Sequence, residues 1–229
     1  MKDYPDIKKL SEIILADVFK PRPYLLPFES PIEEELYRVI QKYLHENVIL
    51  RNQVEIPTPN GNFRLDFMVS IEDHHVALEA NGKKFHHYDK DMMRGSLILG
   101  YSDIHSIYCI RGRDIMAGVE SALCAFSRKE PEIFSKRGII NLSTLSKTNF
   151  PGGYECDDFE IMYGYAPLED SNRYNEPKSA YQITCLSKSM NNPIWKRLFA
   201  IGLEYPGKNA EELITIGDEE GRSWYSDLK

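Results

Sequence analysis

Two acidic side chains, Asp66 and Glu79, are the residues of this chain best placed to do chemistry together. Asp66 lies in FRLDFMVSI, residues 63–71, where Phe63, Leu65, Phe67, Val69 and Ile71 alternate with Arg64, Asp66, Met68 and Ser70. That period belongs to a half-buried strand with the odd-numbered residues on one side. Glu79 ends a second short apolar run, residues 75–80, and Glu72-Asp73 forms a polar break between the two. An antiparallel hairpin centred on that break sets Ser70 against His75, Met68 against Ala77 and Asp66 against Glu79. Opposed side chains in such a pair sit roughly 4.5–5.5 Å apart at Cβ, and like charges held there repel. A divalent cation that prefers oxygen ligands is the natural compensation.

Several elements must hold this pair in place. Ser30-Pro31-Ile32-Glu33 has the signature of a helix start, with serine as the cap, proline in the first turn and glutamate at the capping-box position. Ile32, Leu36, Val39, Ile40 and Leu44 give that helix its apolar face, and it is expected to end near Asn47. Residues 48–56 read as a strand, closed by an Asn60-Gly61 turn. Residues 88–100 and 113–128 have helical periodicity, with a compact apolar strand, residues 105–110, between them. The order helix, three strands, helix, strand, helix predicts an α/β fold: a mixed sheet flanked by helices. Residues 6–19 carry a further helical stripe, followed by the proline-rich connector at Pro21, Pro23 and Pro27. The division expected is an N-terminal helix and linker over 1–27, a core over 28–130 and a C-terminal α+β extension over 131–229. In that extension, residues 141–155 read as loop, 159–166 and 180–186 as strands, and Asn192-Pro193 as the start of a helix through Leu203. From Glu211 the tail reads equally as helix or hairpin.

The chain has 229 residues, 42% hydrophobic and 28% charged, in keeping with a folded core. No apolar run reaches membrane-spanning length, so no membrane partner is expected. The four cysteines are scattered without C-x-x-C spacing, which argues against zinc clusters and disulfides and for a cytoplasmic location. The net charge is −7. Residues 150–229 hold 14 acidic and 8 basic side chains, so the acidity is concentrated there. The rest is nearly neutral and leaves room for a local basic surface.

The ordered set SPIE at 30–33, Gln53, Arg64-Leu65-Asp66-Phe67, Leu78-Glu79-Ala80-Asn81-Gly82, His86, Asp91 to Arg94 and Ile110 to Ile115 resembles the PD-(D/E)xK nuclease superfamily. It looks closest to the branch of very-short-patch-repair-like endonuclease domains. The resemblance spans residues 27–128 and implies a restriction-endonuclease-like core. It also implies a metal-dependent DNA endonuclease that hydrolyses phosphodiester bonds, in DNA repair or anti-phage defence. Asp66 and Glu79, with the Ala80 carbonyl, would hold Mg²⁺ or Mn²⁺. As further catalytic-site residues, Glu33 would add a supporting contact or a second metal position and Gln53 would orient a water or phosphate, while Lys83 or His86 would act on the water or the leaving oxygen. Lys83, Lys84, Arg94, Arg111 and Arg113 would meet DNA phosphates. The superfamily's lysine slot holds Asn81 here, and the repair-like branch often has aspartate in it.

Each of these residues also has a plain reading. Glu33 caps a helix, Gln53 is a strand-edge amide, Lys83-Lys84 is a solvated turn and Arg94 pairs with Asp91 at helical spacing. His45, His74, His75 and His105 read as packing or solvated residues. The alternative function is therefore a catalytically inactive nuclease-fold module. It would bind DNA, or a protein partner through the acidic C-terminal region.

Overall fold

The computed structural model describes residues 28–82, 88–146, 154–156, 159–166, 179–191 and 194–222. The helix expected over 6–19 lies outside them. The described chain forms a seven-stranded mixed sheet flanked by helices. Its strands are β1 (Ile49–Thr58), β2 (Gly61–Ile71), β3 (His74–Asn81), β4 (Ser106–Arg111), β5 (Tyr154–Cys156), β6 (Glu160–Ala166) and β7 (Ser179–Ser187). They lie side by side in the order β1-β2-β3-β4-β7-β6-β5. Neighbours run antiparallel except β3 and β4, which are parallel. A parallel pair needs a crossover, and helix α2 (Tyr88–Tyr101) supplies it.

The helices divide between the two faces. On one side α1 (Pro31–Ile40), α3 (Gly112–Lys129) and α4 (Lys136–Leu145) share an apolar cluster with Phe67, Val69, Val76 and Leu78. On the other, α2, α5 (Ile194–Glu204) and α6 (Ala210–Glu219) pack with Leu65, Met68, Ala77 and Ile107. Sandwiching the sheet in this way buries both of its faces. Helix α1 is capped as expected, with Ser30 Oγ accepting from the Glu33 N–H. It ends at Ile40, short of Asn47. Phe28, Tyr37 and Phe67 form an aromatic group that fixes its start against β2.

The hairpin follows the expected register. Phe67 pairs with Leu78, Met68 with Ala77, Val69 with Val76 and Ser70 with His75. The two-residue turn puts Glu72 at φ 49°, the left-handed conformation that such tight turns require. The single alternation expected along β2 does not hold. Leu65 and Met68 both face the α2 layer, whereas Phe67 and Val69 face the α1 layer. The pattern breaks at Asp66. Opposite the break, the β1–β2 pairing skips Gln53, held at φ 51°, between Asn52–Phe67 and Val54–Leu65.

The loop expected over residues 141–155 also differs. Residues 141–145 complete α4, which Ser135 caps through the Gly138 N–H and which buries Leu142; residues 154–156 form β5. Polar composition hid a helix whose cap and apolar anchor lie at its ends. The tail resolves as helix α6, with Asn209 and Glu212 forming a reciprocal capping box.

Helix α2 lies close on the sheet because of glycine. A Cβ at Gly95 would meet Leu186 Cδ2 at 2.8 Å, and one at Gly100 would run into the Phe199 ring of α5. This close approach brings Arg94, next to Gly95, over the sheet. Gly95→Val is expected to lower the unfolding free energy by about 1–3 kcal/mol through overpacking, measured by urea denaturation.

Candidate functional site

The hairpin ladder closes at Phe67–Leu78, one step before Asp66 and Glu79. From there β2 and β3 part, and side chains take over from backbone pairing. Asp66 Oδ2 accepts the Ala80 N–H at 2.8 Å. Glu79 is buried, and Arg94 Nη1 donates to its two carboxylate oxygens at 2.7 and 2.8 Å. Arg94 Nη2 also donates to the Arg64 carbonyl at 2.6 Å, so one guanidinium bridges the fork.

Glu33 approaches from α1 and is buried. Its oxygens accept from Ser30 Oγ at 2.6 Å, from the Glu29 N–H at 3.0 Å and from Gln53 Nε2 at 3.0 Å. The backbone half of the capping box is thus displaced by one residue, to Glu29. Gln53 spends its amide on Glu33, and its left-handed backbone aims the side chain at α1. Strained backbone held by its surroundings is common at functional sites.

Electrostatics tie these groups together. Burial pushes the Asp66 carboxyl up to about 7. The Ala80 N–H opposes the rise, the charges of Glu79 and Glu33 add to it, and Arg94 opposes it. Burial also works against the Arg94 charge, but the Glu79 charge and hydrogen bonds more than reverse that. Three carboxyl groups and one guanidinium therefore share one poorly solvated neighbourhood. That environment suits an added cation: Asp66 and Glu79 offer oxygen donors, and a divalent ion would favour the ionised form of Asp66.

A pocket of about 390 Å³ opens beside Glu79, at the C-terminal ends of the parallel strands β3 and β4. Such strand ends are where open α/β sheets bind ligands. Ile107, Cys109 and Leu186 line the pocket, and Glu79, Asn81, Arg94, Arg111 and Arg113 surround them. Burial pushes the Cys109 thiol well up, with the Glu79 charge adding to it, which favours the neutral thiol.

Arg111 and Arg113 are both anchored. Arg111 Nε donates to Asp114 Oδ2 at 2.9 Å and Nη1 to Gln182 Oε1 at 3.0 Å; Arg113 Nε donates to Asp114 Oδ1 at 3.2 Å. Asp114 is buried and also accepts the Gln182 N–H at 2.9 Å, which fastens the start of α3 to β7.

The structure thus groups Asp66, Glu79, Ala80, Glu33, Gln53 and Arg94, with Arg111 and Arg113 along the adjoining pocket. Lys83, Lys84 and His86 lie outside the described residues. Sequence reasoning missed two features. Arg94 pairs with Glu79 rather than Asp91, and Asp114 organises both pocket arginines. The Arg-Gly-Arg-Asp run at 111–114 is a signal that points to the second. The first, a contact between a helix and a strand, has no local signal. Comparison with known proteins gives no match among family models, curated sequences or solved structures.

Two expectations follow. Folded Asp66 keeps a proton that the unfolded chain releases near pH 4, so this group favours folding at low pH. In metal-free protein its contribution is full below about pH 4 and is lost as pH rises to about 7. Urea denaturation across that range should show wild type losing stability relative to Asp66→Asn. Arg94→Ala leaves Glu79 buried without its counterion and should cost about 3 kcal/mol by the same measurement.

Proposed function

We propose that the chain is a divalent-metal-dependent nuclease with a restriction-endonuclease-like core, hydrolysing phosphodiester bonds in DNA. The observation that carries this reading is the meeting of Asp66 and Glu79 where β2 and β3 part, with the Asp66 carboxyl pushed up to about 7. Two carboxylates forced together in a poorly solvated fork destabilise each other unless a cation joins them. Asp66 and Glu79 would hold Mg²⁺ or Mn²⁺, which usually takes one or two carboxylates and keeps several waters. When bound, the ion supplies a polarised phosphoryl oxygen and a more acidic water.

The chain's own residues do the rest. The Ala80 N–H orients the Asp66 carboxylate. Glu33 and Gln53 brace the fork from the side of α1. Arg94 neutralises Glu79, and with Glu79 holding a cation the guanidinium would be placed to receive a phosphate. Arg111 and Arg113, held by Asp114, present a cationic pocket margin next to Glu79. The choice of DNA rests on the motif set that resembles the very-short-patch-repair-like domains.

A second reading has its own support. Arg94 already satisfies both Glu79 oxygens, and Asn81 stands in the lysine slot. Both features suit a nuclease fold that binds without cutting, with the acidic C-terminal region free to serve a protein partner.

Cleavage of plasmid and branched DNA with Mg²⁺ or Mn²⁺ separates the readings. The nuclease reading expects metal-dependent cutting that Asp66→Ala and Glu79→Ala each reduce at least about 100-fold. Equal cutting by wild type and both variants would falsify it. No cutting, with no Mn²⁺-induced thermal stabilisation lost in Asp66→Ala, would favour the binding module.

A further inference from the structure

The end of the hairpin away from Asp66 carries a second group of ionisable side chains. His74 opens β3, Glu130 closes α3, and Glu132 sits in the 3-10 turn that follows. His74 Nε2 lies 2.9 Å from Glu130 Oε2 and 3.3 Å from Glu132 Oε1. One ligand atom from each of the three falls within 4.8 Å of the others. Along β3 this group is roughly 17 Å from Glu79.

Glu130 is the anchor. Its side chain is 7% exposed, and its second oxygen, Oε1, accepts from Tyr108 Oη at 2.6 Å. Tyr108 thereby turns Oε2 toward His74, as a supporting hydrogen bond orients a metal ligand. Burial pushes the Glu130 carboxyl up, while Tyr108 and His74 pull it down. His74 and Glu132 stay 31% and 46% exposed, which leaves an approach from solvent. The His105 ring packs beside His74 with centroids 4.9 Å apart.

An N–H at His74 Nε2 satisfies this arrangement only in part. Nε2 carries a single N–H, and two carboxylate oxygens converge on that one nitrogen. A cation at the centre would contact all three atoms. Ligands roughly 2.0–2.2 Å from a tetrahedral Zn²⁺ stand roughly 3.3–3.6 Å apart, against 2.9 and 3.3 Å for the two pairs that His74 makes and at most 4.8 Å between the two carboxylates. An imidazole with two carboxylates favours a borderline transition metal over Mg²⁺.

We propose that His74, Glu130 and Glu132 form a binding site for a transition-metal cation, with Zn²⁺ the best match, that clasps the β2–β3 hairpin to the end of α3. The site owes nothing to the nuclease reading and stands whether or not the chain cuts DNA.

Calorimetric titration of chelator-stripped full chain with ZnCl₂, in the Asp66→Asn background, isolates the site from the carboxylate fork. One Zn²⁺ per chain is expected, unaffected by excess Mg²⁺. Adding Glu132→Gln should weaken it at least about tenfold. Because Glu132 is half-exposed, this variant should keep its fold, checked by circular dichroism; His74→Asn is the companion. Co²⁺ should give a visible absorption band that both variants diminish. Failure of Zn²⁺ to bind in Asp66→Asn, or binding that Glu132→Gln and His74→Asn leave unchanged, overturns the proposal and leaves the hydrogen-bonded His74 ring as the clasp.

Discussion

The structure turns on a conflict of charge. Asp66, Glu79 and Glu33 converge where there is too little water to solvate them all, and one guanidinium, Arg94, is the principal counterion. The sheet makes room by letting the β2–β3 ladder stop at Phe67–Leu78. Beyond that point the Ala80 N–H has an aspartate for a partner, not a strand. Backbone order is exchanged for side chains that can answer a charge. Stable hydrophobic packing alone would not produce such an arrangement, since apolar residues of similar volume usually serve stability as well or better.

The surrounding elements make this tension tolerable. The aromatic group of Phe28, Tyr37 and Phe67 fixes α1, and with it Glu33, against β2. Gln53 gives up regular strand geometry to reach Glu33. Gly95 lets α2 descend far enough for Arg94 to reach Glu79. Asp114 holds two arginines near the same strand ends, so positive charge is present without being free to collapse onto Glu79.

Local pattern made much of this legible. The hairpin register followed from alternation about Glu72-Asp73, because a two-residue turn leaves little choice of pairing. The helix start at Pro31 followed from its cap, and the helix expected over 113–128 followed from periodicity, beginning one residue earlier at Gly112. What stayed hidden depended on partners distant in sequence. The break in alternation at Asp66 faces Gln53 on the neighbouring strand, where the pairing is interrupted. Arg94 finds Glu79 only because α2 crosses over the sheet. His74 read as a packing or solvated residue because Glu130 and Glu132 lie more than fifty positions away. Helix α4 was masked by serine and threonine, whose side chains bond back to the helix carbonyl of Ile140.

The strand order has a consequence for synthesis. β4 pairs with β3 on one side and with β7 on the other, and β7 is Ser179–Ser187. A growing chain can therefore assemble β1 to β4 with the whole carboxylate fork while β4 is still an uncovered rim. Bare rims of this kind recruit foreign strands. The nascent protein must pass through that sticky interval before its own late strand arrives to seal the middle of the sheet.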